Sequence, residues 1–237
     1  PTSSSHALIG GIVGAGISAS GLAAIKWSTF QQVVAFMILS PLIGLVFGFA
    51  VMALVLNVTR NANKKKAESQ FKTLQLVAAA ANCFGHGTND AQKTIGIIIP
   101  LLFSIGYFGA SANVNSLPVP FWVIMIAYIT ISLGTLSGGW RIVKTMGYKI
   151  TKLRPVHGFA ANAASSATIL GASVMGIPVS TTHIICTSIM GVGSTQGIST
   201  VKWGVARTIM WAWILTIPIS ALIGFTSFVI IRQIVGA

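Results

Sequence analysis

The sequence predicts an all-α polytopic membrane protein, built as two inverted repeats with interrupted or re-entrant helices. Three observations predict it. Of the 237 residues 54% are hydrophobic and only 7% charged, with mean hydropathy +0.83, against the roughly 25% charged residues of soluble domains. Several windows are apolar over the ~20 residues that cross a bilayer: 31–57, 121–140 and 205–231, the last broken only by Arg207. The third is an internal repeat. The opening "PTSSSHALIGGIVGAGIS" returns at Pro178 as "PVSTTHIICTSIMGVGS".

Charge orders these elements. Ten of the fifteen basic residues fall in two short stretches: Arg60, Lys64, Lys65, Lys66 and Lys72, then Arg141, Lys144, Lys149, Lys152 and Arg154. Basic stretches between spans mark the cytoplasmic side and attract anionic lipid. That accounts for the net charge of +13 without a nucleic-acid partner. The linker 104–120 carries no charge and is expected outside. Parity then runs 31–58 inward and 73–103 outward as one long span, interrupted near Gly85 to Gly87. Residues 121–140 return. The region 156–194 breaks at "GIPVS" and reads either as two full spans or as one re-entrant hairpin. Residues 205–231 carry the C-terminal end out. The organisation is the end of a first repeat (1–58), a basic cytoplasmic loop (59–72) and a second repeat (73–237) with its own basic loop at 141–155. The two cysteines, Cys83 and Cys186, read as small packing residues.

At a fixed offset of 177, Pro1, Ser3, His6, Gly14 and Gly16 fall on Pro178, Ser180, His183, Gly191 and Gly193. Each copy leads through an equivalent tripeptide, Ile25-Lys26-Trp27 or Val201-Lys202-Trp203, into an apolar span with an internal proline, Pro41 or Pro218. The first copy runs to the outer side and the second to the inner, so the copies are inverted. Inverted repeats with broken helices are a transporter architecture, with the substrate near the midplane. Irregular backbone at that depth must be buried in protein or line a wet cavity.

The polar groups at these breaks are the candidate site. Ser3, Ser4 and Ser5 follow Pro1, and Ser180, Thr181 and Thr182 follow Pro178. Both clusters sit at helix starts, where unpaired N–H groups and the dipole favour an anion and hydroxyls add rotatable donors. The stretch "GHGTNDAQKTIG" (85–96) holds one of the chain's two acidic residues, Asp90, among His86, Thr88, Asn89 and Lys93. Thr88, Asn89 and Asp90 offer oxygen to a hard cation. A carboxylate at membrane depth needs a cation or a proton. Lys93, one turn on, reads equally as the partner of Asp90 or as a side chain reaching for the interface. His6 and His183 read as groups bonded within their helix starts. Ser165, Ser166 and Thr168 read as close-packing residues.

"GHGTNDAQKTIGII", "PVSTTH" and the earlier "PTSSSH" together resemble the inorganic phosphate transporter family, also called the phosphate permease family. The resemblance covers essentially the whole chain. It implies secondary-active phosphate symport driven by H⁺ or Na⁺ in the cytoplasmic (inner) membrane, with no cofactor beyond the coupling ion; a homo-oligomer stays open. By motif matching, Ser3, Ser4, Ser5, Thr88, Asn89, Ser180, Thr181 and Thr182 face phosphate. Asp90, with Asn89 and Asn162, takes the coupling ion. Two departures are visible. The family's first-half Asn-Asp element would lie about 88 residues before Pro1, so the chain is expected to be a piece lacking the first spans and unable to transport alone. The family often carries a carboxylate where Asn162 stands, which tilts the expectation toward protons. "GTNDAQK" further resembles the bacterial low-affinity branch, whose substrate can be a neutral metal–phosphate complex.

Two other functions compete. Another oxyanion, such as sulfate, could use the same scaffold; phosphate alone can donate a hydrogen bond to an obligatory acceptor such as Asp90. A membrane metalloenzyme would use His86 and Asp90, four residues apart, with His183. The glycine break is expected to spoil that spacing, no second carboxylate is available, and the repeat would be left without a purpose.

Overall fold

A computed structural model describes residues 2–109, 113 and 117–236. Its principal elements are the helices α1 (Ser4–Ser20), α2 (Trp27–Val58), α3 (Lys64–Ser104), α4 (Phe121–Lys144), α5 (Pro155–Val174), α6 (Thr181–Ser194) and α7 (Trp203–Val235). α2, α7 and the first 20 residues of α4 are long and apolar enough to cross a membrane. Many of their large side chains face outward, Leu54 and Leu136 among them, as lipid-facing residues must.

The repeat is interlocked. Each short helix packs on the long helix of the other copy, α1 on α7 and α6 on α2. Gly10 of α1 meets Ile217 and Ser220 of α7, and Gly14 meets Ala221. Gly44 of α2 meets Ile184 and Thr187 of α6, and Gly191 meets Leu45 and Phe49. The register rises together in both pairs, so both are parallel. Gly14 and Gly191 are repeat equivalents. A Cβ on Gly14 would overlap the Ala221 carbonyl, and one on Gly191 the Leu45 carbonyl. Small residues admit such close backbone approach where packing must drive association.

α3 and α5 are also parallel. Gln75 lies beside Gly158, Gly85 touches Ile169 and Leu170, and Ser165 Oγ donates to Asn82 Oδ1 at 2.8 Å. α5 starts on the face carrying the basic stretches, and α6 ends there. Gln196 Nε2 lies 2.6 Å from His157 Nε2, and the Lys202 amide donates to the Ile150 carbonyl at 2.9 Å. α6 therefore runs toward the basic face. α7 starts at that face, and α1, parallel to it, runs away. The two copies are inverted.

Three expectations need correction. No interruption exists at Gly85 to Gly87, since α3 is helical from end to end. A helical glycine costs only ~1 kcal/mol, whereas an opened turn in lipid strands backbone groups at several kcal/mol each. The first basic loop ends at residue 63 rather than 72. The Asn63 side chain accepts from the Lys65 and Lys66 amides, capping α3, so its 41 residues, ~60 Å at 1.5 Å each, project beyond the bilayer. Likewise α4 continues through Lys144 into a wide turn, Thr145–Ile150. The break at "GIPVS" is present, and of the two readings the hairpin is the one found. α6 has 14 residues, ~21 Å against a core of ~30 Å.

Candidate functional site

Two helix starts meet beside the middle of α3. Ser3 caps α1, its hydroxyl accepting from the His6 amide at 3.3 Å; Ser180 caps α6, accepting from the His183 amide at 3.4 Å. The same spacing, Ser-x-x-His, thus builds the same cap twice. The Ser180 hydroxyl then donates to the Ser3 hydroxyl at 2.9 Å. The His6 and His183 rings sit edge to face at 4.4 Å, and His183 stacks on Trp213 at 3.8 Å. These histidines cement the junction.

Asp90 sits where the helix starts converge. Its Oδ1 accepts from Lys93 Nζ at 2.9 Å. Its Oδ2 lies 3.1 Å from His86 Nε2 and accepts from Thr181 Oγ1 at 3.4 Å. The side chains of Asp90 and Lys93 are only 11% and 16% exposed. Lys93 also donates to Ser5 Oγ at 2.7 Å and to the Val179 carbonyl at 2.7 Å. Because α3 is unbroken, His86, Asp90 and Lys93 share one face at helical spacing.

Two cavities flank this cluster. One, of about 530 Å³, is lined by Ser4, Ser5, Asp90, Lys93 and Thr94 on the side away from the basic face. The other, of about 500 Å³, is lined by Asn82, Thr135, Gly138, Thr181 and Thr182 on the basic side. They share His86 and Ile131. Each repeat's hydroxyl cluster therefore faces its own cavity.

Not every expected residue joins. Ser3, Ser5, Asp90, Ser180 and Thr181 come together, with Ser4 and Thr182 on the cavity walls. Thr88 turns back on its own helix, donating to the Phe84 and Gly85 carbonyls at 2.9 and 3.1 Å. Asn89 is buried against α5, its Nδ2 donating to Ser173 Oγ at 3.0 Å. Asn162 lies eleven residues before Ser173 on α5, ~16 Å toward the basic face at 1.5 Å per residue; its carbonyl accepts from Ser165 and Ser166. Asn162 and Asp90 therefore do not form one site. Lys93, left open between two readings, is the hub, and the Val179 carbonyl had no signal beyond its place before Ser180. Among the described residues no group of three His, Cys, Asp or Glu gathers as a metal set.

The profile of the phosphate transporter family matches residues 1–224. A probable low-affinity inorganic phosphate transporter of Rhizobium meliloti (strain 1021) is 47% identical over 223 residues, 94% of this chain and 65% of that protein. The Bacillus subtilis (strain 168) protein of that description is 42% identical over 99% of this chain and 69% of its own length. The Mycobacterium tuberculosis (strain ATCC 25618 / H37Rv) protein is 38% identical over 100% and 56%. The chain thus spans roughly three fifths of the length of these relatives. Among solved structures, "The sodium-dependent phosphate transporter" shares the fold, with TM-score 0.86 at 23% identity over 99% of this chain and 74% of that one. Family and relatives alike are described as transporters and not as enzymes. The chain belongs to the phosphate transporter family.

Proposed function

We propose that the protein moves inorganic phosphate across the cytoplasmic membrane as a secondary transporter, binding it where α1 and α6 begin beside Asp90. One observation carries this reading. Two helices with the same capped start meet within a hydrogen bond, run to opposite faces, and open on separate cavities. Their first turns aim unpaired N–H groups and partial positive charge at a shared point. Ser4, Ser5 and Thr182 add donors for a tetrahedral oxyanion, while the Thr181 hydroxyl donates to Asp90. Asp90 is the acceptor that a protonated phosphate oxygen satisfies and sulfate cannot; a site built around an obligatory hydrogen bond rejects the analogue lacking it.

The cavities make access a matter of small movements. The Asp90–Lys93 pair and the layer of His86 and Ile131 separate them, so rocking one inverted copy against the other would open either side in turn. An H⁺ or Na⁺ gradient would drive the cycle, with phosphate free or as a neutral metal complex. The test is radiolabelled phosphate uptake into proteoliposomes of the full-length protein, with pH and Na⁺ gradients imposed separately and sulfate as competitor. Uptake driven by a gradient and resistant to sulfate supports the reading. Uptake abolished by sulfate, or none, removes phosphate as the cargo.

A further inference from the structure

Lys93 is held the way a transporter holds a metal ion. Its ammonium has three N–H donors and no acceptor, and all three are spent on oxygens of three separate segments. Ser5 Oγ comes from α1 at 2.7 Å, Asp90 Oδ1 from α3 at 2.9 Å, and the Val179 carbonyl from the unwound turn before α6 at 2.7 Å. A carboxylate, a hydroxyl and an unwound carbonyl are the donors that broken-helix transporters offer a coupling cation, and that hard cations prefer. Here the oxygens are already satisfied by a charge built into the chain. The second Asp90 oxygen is engaged by His86 and Thr181, so both carboxylate oxygens already carry donors, leaving about one lone pair for a further hydrogen bond and no bare oxygen for a second cation.

We infer that Lys93 is the resident cation of this cage, its ammonium standing in place of a coupling sodium ion at Asp90. A sodium ion does not fit there while the lysine is in place, since it would share its oxygens with an ammonium of like charge. The sodium dependence in the description of the solved relative does not extend to this cage. Lys93 also fastens the starts of α1 and α6 to α3, as an ion at a midplane site would.

The uptake arm of the test rests on the phosphate-transport reading; the stability arm does not. Full-length wild type, Lys93→Ala and Lys93→Arg are purified, and thermal unfolding is followed in sodium chloride and in choline chloride. Wild type and Lys93→Arg should melt at the same temperature in both salts. Lys93→Ala, its cage emptied, should be stabilised by sodium over choline, because an ion that binds only the folded state raises its stability by mass action. In proteoliposomes, wild-type phosphate uptake should be unchanged when choline replaces sodium. Sodium that raises the wild-type melting temperature, or stimulates wild-type uptake about tenfold (~1.4 kcal/mol), overturns the inference. So does a folded Lys93→Ala that melts alike in both salts. If Lys93→Ala folds only in sodium, the inference is supported; if it folds in neither, the wild-type and Lys93→Arg comparisons decide. Absence of wild-type uptake in both salts strikes the phosphate reading and leaves the melting results to judge the lysine.

Discussion

α1 and α6 carry the same Pro-x-Ser-x-x-His start, yet they sit in the molecule very differently. α6 is buried almost throughout, from Thr181 to Gly193, whereas α1 buries only Ser5, His6, Gly10 and Gly14. The reason lies in their neighbours. α6 is wedged between α2 and α5, while α1 rests chiefly on α7. The repeated motif therefore specifies the cap, the meeting point and one glycine-lined contact. Burial of the rest is set by what else packs alongside.

The comparison breaks most completely at Asp90, which both helices share: Lys93 links it to Ser5 of α1, and Thr181 of α6 donates to it. Asp90→Asn in the full-length protein should lower phosphate uptake at least ~100-fold through loss of the obligatory carboxylate acceptor, and should destabilise the fold by about 3–5 kcal/mol because the buried Lys93 charge loses its partner. Uptake normalised to reconstituted protein checks it. Next come Ile189 and its repeat equivalent Ile12, which are 4% and 50% exposed. Ile189→Ala should destabilise by about 2–4 kcal/mol and Ile12→Ala by less than ~1, read from unfolding in detergent. Equal losses would mean that α1 is as tightly held as α6.

Smaller still is the hydroxyl pair. Ser3→Ala and Ser180→Ala should each cost about 1 kcal/mol through the cap, and the double variant should fall short of their sum by at least ~0.5 kcal/mol because the two side chains are bonded. Strict additivity would deny the bridge. Smallest are Thr88→Ala and Asn162→Ala. Neither side chain reaches the Asp90 cluster, so uptake should stay within about twofold, a shift of under ~0.5 kcal/mol.

Much of this was legible in the sequence because it rests on linear signals. Apolar length located α2, α4 and α7, the 177-residue offset located the paired starts, and the parity set by the basic stretches gave their inversion. Gly14 and Gly191 emerged as equivalents for the same reason. Partnership was less legible. Gly85 and Gly87 looked like a break, but lipid penalises an open turn more than a helix penalises glycine. Asn89 and Asp90 are adjacent and polar, yet one points to α5 and the other to the cavity, because neighbours on a helix diverge by 100°. Lys93 had two readings until Ser5 and the Val179 carbonyl, 88 and 86 residues away, came to its ammonium. Asn162 lost its place through register, since α5 sets it turns away from Ser173.

The central claim is that the two hydroxyl clusters face opposite sides of one binding point. Single cysteines at Ser4 and Thr182, in a full-length background with Cys83 and Cys186 replaced, would be labelled with a membrane-impermeant thiol reagent from each face of oriented vesicles. The account predicts labelling of Ser4→Cys from the face away from the basic stretches and of Thr182→Cys from the basic face, with phosphate protecting both. Labelling of both from one face, or no protection by phosphate at either, would contradict it.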